Sequence, residues 1–140
     1  MAHKSLTKAI AKELLAGNIC YVNRQNRKIT TIVDLEDGME NTSERQAKLE
    51  KLEEHITKYY KVPRMSPAEE IHIMHDFVKE DLVENKKELI NALKRKNPTR
   101  NFMTILAHQE ELNEYWVIFK AKWYQEWVRG YLLDLSLIHI

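Results

Sequence analysis

Glycine, proline and cysteine are scarce in this chain: three, three and one among 140 residues. So few glycines leave no means of building a glycine-rich phosphate loop, and no Gly-x-Ser-x-Gly nucleophile elbow occurs. The lone cysteine, Cys20, excludes an internal disulfide and any cysteine-rich metal site, and its strand-like surroundings mark a packed thiol. No apolar run approaches the roughly 18 residues that a membrane span needs. The opening MAHKSLTKAIAKELLAG has neither a long apolar core nor a cleavage pattern, so no secretory signal is expected. Charge of one sign is lacking too, with 22 basic against 21 acidic residues. Bulk electrostatics therefore favours neither nucleic acid nor an acidic partner. The expectation is one soluble, cytoplasmic domain over residues 1–140, with no membrane association and no cofactor.

What is abundant is aromatic surface, concentrated in residues 115–133, YWVIFKAKWYQEWVRGYLL. This stretch holds all three tryptophans, Trp116, Trp123 and Trp127. At about 100° per residue, Trp116, Val117, Phe119, Ala121, Trp123, Tyr124, Trp127, Val128, Tyr131 and Leu132 fall on one broad arc. Lys122, Gln125, Glu126 and Arg129 fall opposite. Burying one large apolar side chain is worth roughly 1.5–3 kcal/mol, so this helix is the expected organiser of the core. Gly130 costs it about 1 kcal/mol relative to alanine, which implies close packing there or a weakened last turn.

Upstream, Ser5 or Thr7 is the expected cap of a first helix stopped by Gly17. Residues 18–22 and 28–33 read as a β-hairpin, with Asn26 as the residue suited to a left-handed turn. An acidic turn follows at 34–38. Asn41, Thr42 or Ser43 then opens a lid-like helix at 43–55 that offers Ala47, Leu49, Leu52 and Ile56 for packing. Residues 57–62 read as a third strand ended by Pro63. Ser66-Pro67 starts a helix with Ile71, Met74, Phe77 and Val78 inward. Further helices are expected at 84–95, with Leu89, Ile90 and Leu93 inward, and from a Thr99 cap to His108. Asn113 is the expected cap of the aromatic helix. The tail LSLIHI either pairs with the sheet edge or packs. The fold class is α+β: an N-terminal helix, a small antiparallel sheet of a hairpin plus a third strand, and a C-terminal helical block around one long aromatic helix.

Charge is unevenly laid out. Residues 1–33 carry six bases and one acid, residues 34–57 eight acids and three bases. Solvated faces account for this, and a complementary docking of one face on another is the sharper alternative.

The ordered set Ile19-Cys20-Tyr21-Val22, Tyr60-Lys61-Val62-Pro63, Ser66, Glu69-Glu70, Met74, Phe77, Glu88-Leu89, Ala92-Leu93, Arg100-Asn101-Phe102, Trp116-Val117-Ile118-Phe119-Lys120 and Tyr131-Leu132 carries a resemblance. Over residues 18–133 the chain resembles the bacterial uncharacterised protein family zero-one-five-eight, small intracellular proteins without an established activity. The departures are a hairpin tip without a clear glycine, Tyr131 in place of an expected tryptophan, and extra aromatics at Trp123 and Trp127. The resemblance implies a fold and no chemistry.

Candidate sites come from the residues themselves. Lys120 projects among aromatic rings, and with Arg100 it could form an anion site flanked by Trp116, Phe119 and Tyr60. A snorkelling stem or a structural ion pair is the plainer account. Lys94, Arg95 and Lys96, with Arg100, form a basic turn. The helix dipole explains cations there, and contact with a nucleic-acid backbone, with Tyr21, Tyr59 and Tyr60 stacking bases, is the alternative. His72 and His75 have a spacing that can hold a divalent ion, yet no third ligand stands near, so no metal site is expected. The acids Asp34, Glu36, Asp37 and Glu40 lack the alternation of a calcium loop. These features lean away from an enzyme and toward a non-catalytic binding or regulatory module working through a protein partner or a homodimer. A nucleic-acid accessory protein ranks second, and a binder or enzyme of an anionic small molecule at Arg100 and Lys120 third.

Overall fold

The computed structural model describes residues 2–35 and 39–138. Among them the elements run α1 (Ala2–Leu15), β1 (Asn18–Asn23), β2 (Ile29–Val33), α2 (Ser43–Glu54), a 3-10 turn (Ile56–Lys58), β3 (Tyr59–Val62), α3 (Pro67–Val78), α4 (Lys86–Lys94), α5 (Pro98–Ala107) and α6 (Glu110–Asp134). This is the α+β class. Of the acidic turn and the tail, Glu36, Asp37, Gly38, His139 and Ile140 lie outside the described residues. The chain forms two compact units, one made of residues up to Arg64 together with those from Tyr124 onward, the other of Met65–Trp123.

In the first unit the sheet order is β2-β1-β3, antiparallel throughout, with Ile19 opposite Ile32 and Cys20 opposite both Thr31 and Val62. The central strand is covered on both faces, as the run Cys20-Tyr21-Val22, all buried, requires. On one face Tyr21, Ile32 and Leu52 cluster with Ile19 and Tyr59, so α2 contributes essentially one anchor. Ala47 and Ile56, expected to pack, are exposed. On the other face α1 lies against β1, and the Cys20 thiol reaches the carbonyl of Ile10 at 4.0 Å. Burial, and then the charge of Glu13, push that thiol up to about 12. Ser5 and Thr7 are interior to α1, which begins at Ala2, so neither is its cap. Gly17 does take the left-handed conformation that ends this helix (φ 97°).

At the hairpin tip the left-handed residue is Arg27 (φ 63°), and not Asn26. Asn26 instead accepts the Lys28 amide through its side chain, while the Asn23 side chain accepts the amides of Gln25 and Asn26. Side-chain carbonyls thus satisfy a turn that glycine would otherwise make.

The second unit is built around Phe77, which is fully buried on α3. Its ring centroid lies 5.2 Å from Tyr115 and from Trp116, 5.3 Å from Phe119 and 6.2 Å from Phe102. Trp116 and Phe102 close the group at 5.0 Å. α3 starts with a full capping box: Ser66 accepts the Glu69 amide, and Glu69 accepts the Ser66 amide. Its buried residues include Ile73, with Ile71 only half-buried. On α4 Leu89 and Leu93 are buried as expected, Ala92 is buried beside them, and Ile90, expected inward, is exposed. α5 is preceded by Asn97 in a left-handed conformation, with Pro98 as its first residue, so Thr99 is not its cap. Asn101 donates to the carbonyls of Ala92 and Lys96 and so ties the end of α4 to α5.

α6 starts at Glu110, three residues before the expected cap Asn113, with Glu110 and Glu111 beside the positive end of its dipole. Leu112, Trp116, Tyr124, Val128 and Leu132 are buried, and Lys120 between them is half-buried. That is a spacing of four. In a helix of 3.6 residues per turn each such step overshoots by about 40°, so the covered stripe winds around α6 and does not run along it. Val117 and Ile118 fall outside it, 57% and 56% exposed, although the broad-arc expectation placed Val117 inward. The helix ends in a Schellman motif: Ser136 is left-handed (φ 58°), its amide reaches the Leu133 carbonyl, and the Leu137 amide reaches Leu132. Leu137 and Ile138 are buried without forming a strand.

Candidate functional site

Lys120 emerges from α6 facing α3. Its Nζ lies 3.1 Å from Oε2 of Glu70 and 5.7 Å from the centre of the Trp116 ring. Both side chains of the pair are largely covered, 28% and 18% exposed. The ammonium is therefore charge-compensated, and a compensated cation attracts an added anion weakly. Six residues further along α3, Asp76 accepts the indole N–H of Trp123 at 3.2 Å, stands 3.5 Å from Nε2 of His72 and 3.9 Å from Nζ of Lys79. The half-buried Trp123 is thus anchored to α3 by its polar edge, and His72 meets it edge-on at 6.0 Å. Of the other α6 aromatics, Trp116 and Tyr124 are buried, and Trp127 stacks on Tyr131 at 6.0 Å. Tyr131, where tryptophan was expected, donates its hydroxyl to the Lys61 carbonyl at 2.9 Å.

Phe119 belongs to the ring cluster around Phe77. Arg100 is exposed on the first turn of α5, and its carbonyl accepts the Thr104 hydroxyl. Lys94, Arg95 and Lys96 are exposed where α4 ends, and Lys94 and Arg95 border a shallow concavity with Glu88 and Asn91. Tyr60 lies in the first unit, half-buried opposite Val22, with the Arg24 guanidinium 4.1 Å above its ring. Tyr21 is buried beneath α2, so it offers no stacking surface. Among the described residues no three His, Cys, Asp or Glu side chains converge as metal ligands. No described helix is long and apolar enough to cross a membrane.

Two features were not singled out in the sequence. The first is a recess of about 430 Å³ between the α3–α4 connection and the start of α6, lined by Leu82, Glu84, Gln109, Glu111, Leu112 and Tyr115. Leu82 on its rim is 79% exposed, the largest such value among the exposed apolar side chains. Partial burial, then Glu80 and Asp81, raise the Tyr115 phenol above its usual range. The second is the Arg24–Tyr60 stack at the hairpin end. The signal for the first was the run Asp81-Leu82-Val83, an apolar pair in a polar connection. For the second it was Arg24 two residues beyond Val22, hence on the same face of the strand.

No curated protein and no solved structure matches the chain. A family model matches residues 2–138, that of the uncharacterised protein family UPF0158.

Proposed function

The chain belongs to the uncharacterised protein family UPF0158, and on that premise we propose that it is a non-catalytic cytoplasmic binding module that acts through a protein partner, a second copy of itself being the simplest. The observation that carries this is the outward side of α6 in the second unit. Val117 and Ile118 are adjacent and each more than half exposed, and Leu82 stands on the rim of the recess that Tyr115 lines. Tyr115 and Ile118 are one helical turn apart, so the recess and the apolar pair lie along neighbouring rows of the same helix. Scattered exposed leucines are ordinary, whereas a grouped apolar surface rimmed by charges such as Glu114 and Lys122 is typical of a docking face. The free thiol of Cys20 suits a reducing compartment.

The test is sedimentation velocity from low micromolar to several hundred micromolar, together with affinity capture from the source cell. Wild type is expected to self-associate or to retain a partner, and Val117→Glu with Ile118→Glu is expected to abolish that while leaving the circular dichroism unchanged. A wild-type chain that stays monomeric and retains nothing, or a double variant that associates as well as wild type, overturns the proposal.

A further inference from the structure

The hairpin end of the sheet carries a second surface, in the first unit and of different chemistry. No Asp or Glu occurs in residues 14–33 or 55–68, while these segments contain Arg24, Arg27, Lys28, Lys58, Lys61 and Arg64. The fold joins four of these cations at one end of the sheet. The Arg24 amide donates to the Lys58 carbonyl at 2.9 Å, and the Asn23 amide donates to that of Lys28, also at 2.9 Å. Among the described residues, Arg24, Lys28 and Lys58 have no carboxylate partner, and the Arg27 Nε donates to the Leu137 carbonyl. The acids of α2 lie over the opposite face, where Glu53 acts on Tyr21.

The Arg24 guanidinium carbon lies 4.1 Å from the centre of the Tyr60 ring, and Arg24 as a whole is exposed. A guanidinium plane fixed on an aromatic ring is a platform on which a base can stack, and its edge can take a phosphate in a two-point grip. The exposed side-chain carboxamides of Gln25 and Asn26 follow Arg24 directly in the turn; that of Gln25 can donate to and accept from base edges, and the NH2 of Asn26 can donate. The turn holds itself in place through the Asn23 and Asn26 side chains, so little order has to be imposed when a ligand arrives. We propose that the Arg24–Tyr60 stack and the cations Arg27, Lys28 and Lys58 form a docking surface for single-stranded nucleic acid. An acidic polypeptide would satisfy the charge but would leave the Arg24–Tyr60 contact and the carboxamides without a use.

The test is fluorescence anisotropy with labelled twelve-nucleotide RNA and DNA strands at 20–200 mM salt, with polyglutamate as competitor. Wild type is expected to bind in the micromolar range at low salt. Arg24→Gln with Lys28→Gln and Lys58→Gln should weaken binding at least tenfold and make the slope of log affinity against log salt shallower by about 2. Arg24→Lys, which keeps the charge and loses the plane, and Tyr60→Leu should each lose about tenfold, whereas Tyr60→Phe should bind as wild type does. Neutralising Lys94, Arg95 and Lys96 should change affinity less than twofold. Because the three cations are solvent-exposed, circular dichroism of their variants should match that of wild type. The proposal is overturned by no binding at 20 mM salt, by Arg24→Lys and Tyr60→Leu binding like wild type, or by polyglutamate competing as well as an unlabelled strand.

Discussion

At Gly130 a methyl group would meet no atom within 4 Å, and the helix runs on to Asp134. Neither close packing nor an early end to the helix explains this glycine. Six residues later Ser136 adopts the left-handed conformation that a side chain resists, at the place where helices most often recruit glycine. The two positions invite opposite changes. Gly130→Ala is expected to stabilise the protein by about 1 kcal/mol from helix propensity. Ser136→Gly is expected to do so by a similar amount, of order 1 kcal/mol, by relieving the left-handed strain. Urea titrations of the two single variants and their combination check this; loss of stability in Gly130→Ala would mean that the space around it is occupied.

The same logic, carried to elements, shows what the chain's residues made legible. The hairpin, the helix start at Ser66 and the continuous aromatic helix follow from strong local chemistry, since alternation, a hydroxyl before proline and a long apolar period leave few competitors. Helix starts were less legible at α1 and α6, where Ser5, Thr7 and Asn113 are good caps that lie inside longer helices. The inward side of α6 was misjudged at Val117 because a fixed arc presumes one covered face, and burial every fourth residue moves that face. The placement of Phe77 as the hub could not be read from spacing, since its neighbours come from α5 and α6. The Lys120–Glu70 pair and the Arg24–Tyr60 stack were equally hidden, both joining residues far apart in the chain. Truncating Phe77 to alanine removes a ring touching four others and is expected to cost about 3–5 kcal/mol. Thermal melts should place it far below a surface control such as Ile118→Ala, expected within about 0.5 kcal/mol of wild type; comparable losses would refute the hub.

For the whole molecule, three groups share one pH response. Cys20 is held protonated by burial and Glu13, Tyr21 by burial and Glu53 against the opposing Arg45, and Tyr115 by partial burial with Glu80 and Asp81. Each has a folded pKa above its unfolded one. Above the unfolded value the unfolded chain gives up the proton that the folded chain keeps, so stability falls as pH rises. For Cys20 the loss begins near 9.0 and is complete near 12, and the two tyrosines add to it above about 10. Denaturation midpoints should be flat from neutral pH to about 8 and decline beyond it. Cys20→Ala should remove the part of the decline that lies between about 9 and 10. An unchanged slope in that variant would show that the thiol is not held neutral by the fold.

Within the first unit the covered side chains of α6, Tyr124, Val128 and Leu132, step by four, so each depends on the count of residues before it. Adding or deleting one residue near Glu126 would swing Val128 and Leu132 by about 100° relative to Tyr124 and shift them by about 1.5 Å along the axis. Substitution can be absorbed site by site, but a change in length there has no local remedy, so natural variation in length is expected to gather in the connections and to spare this helix.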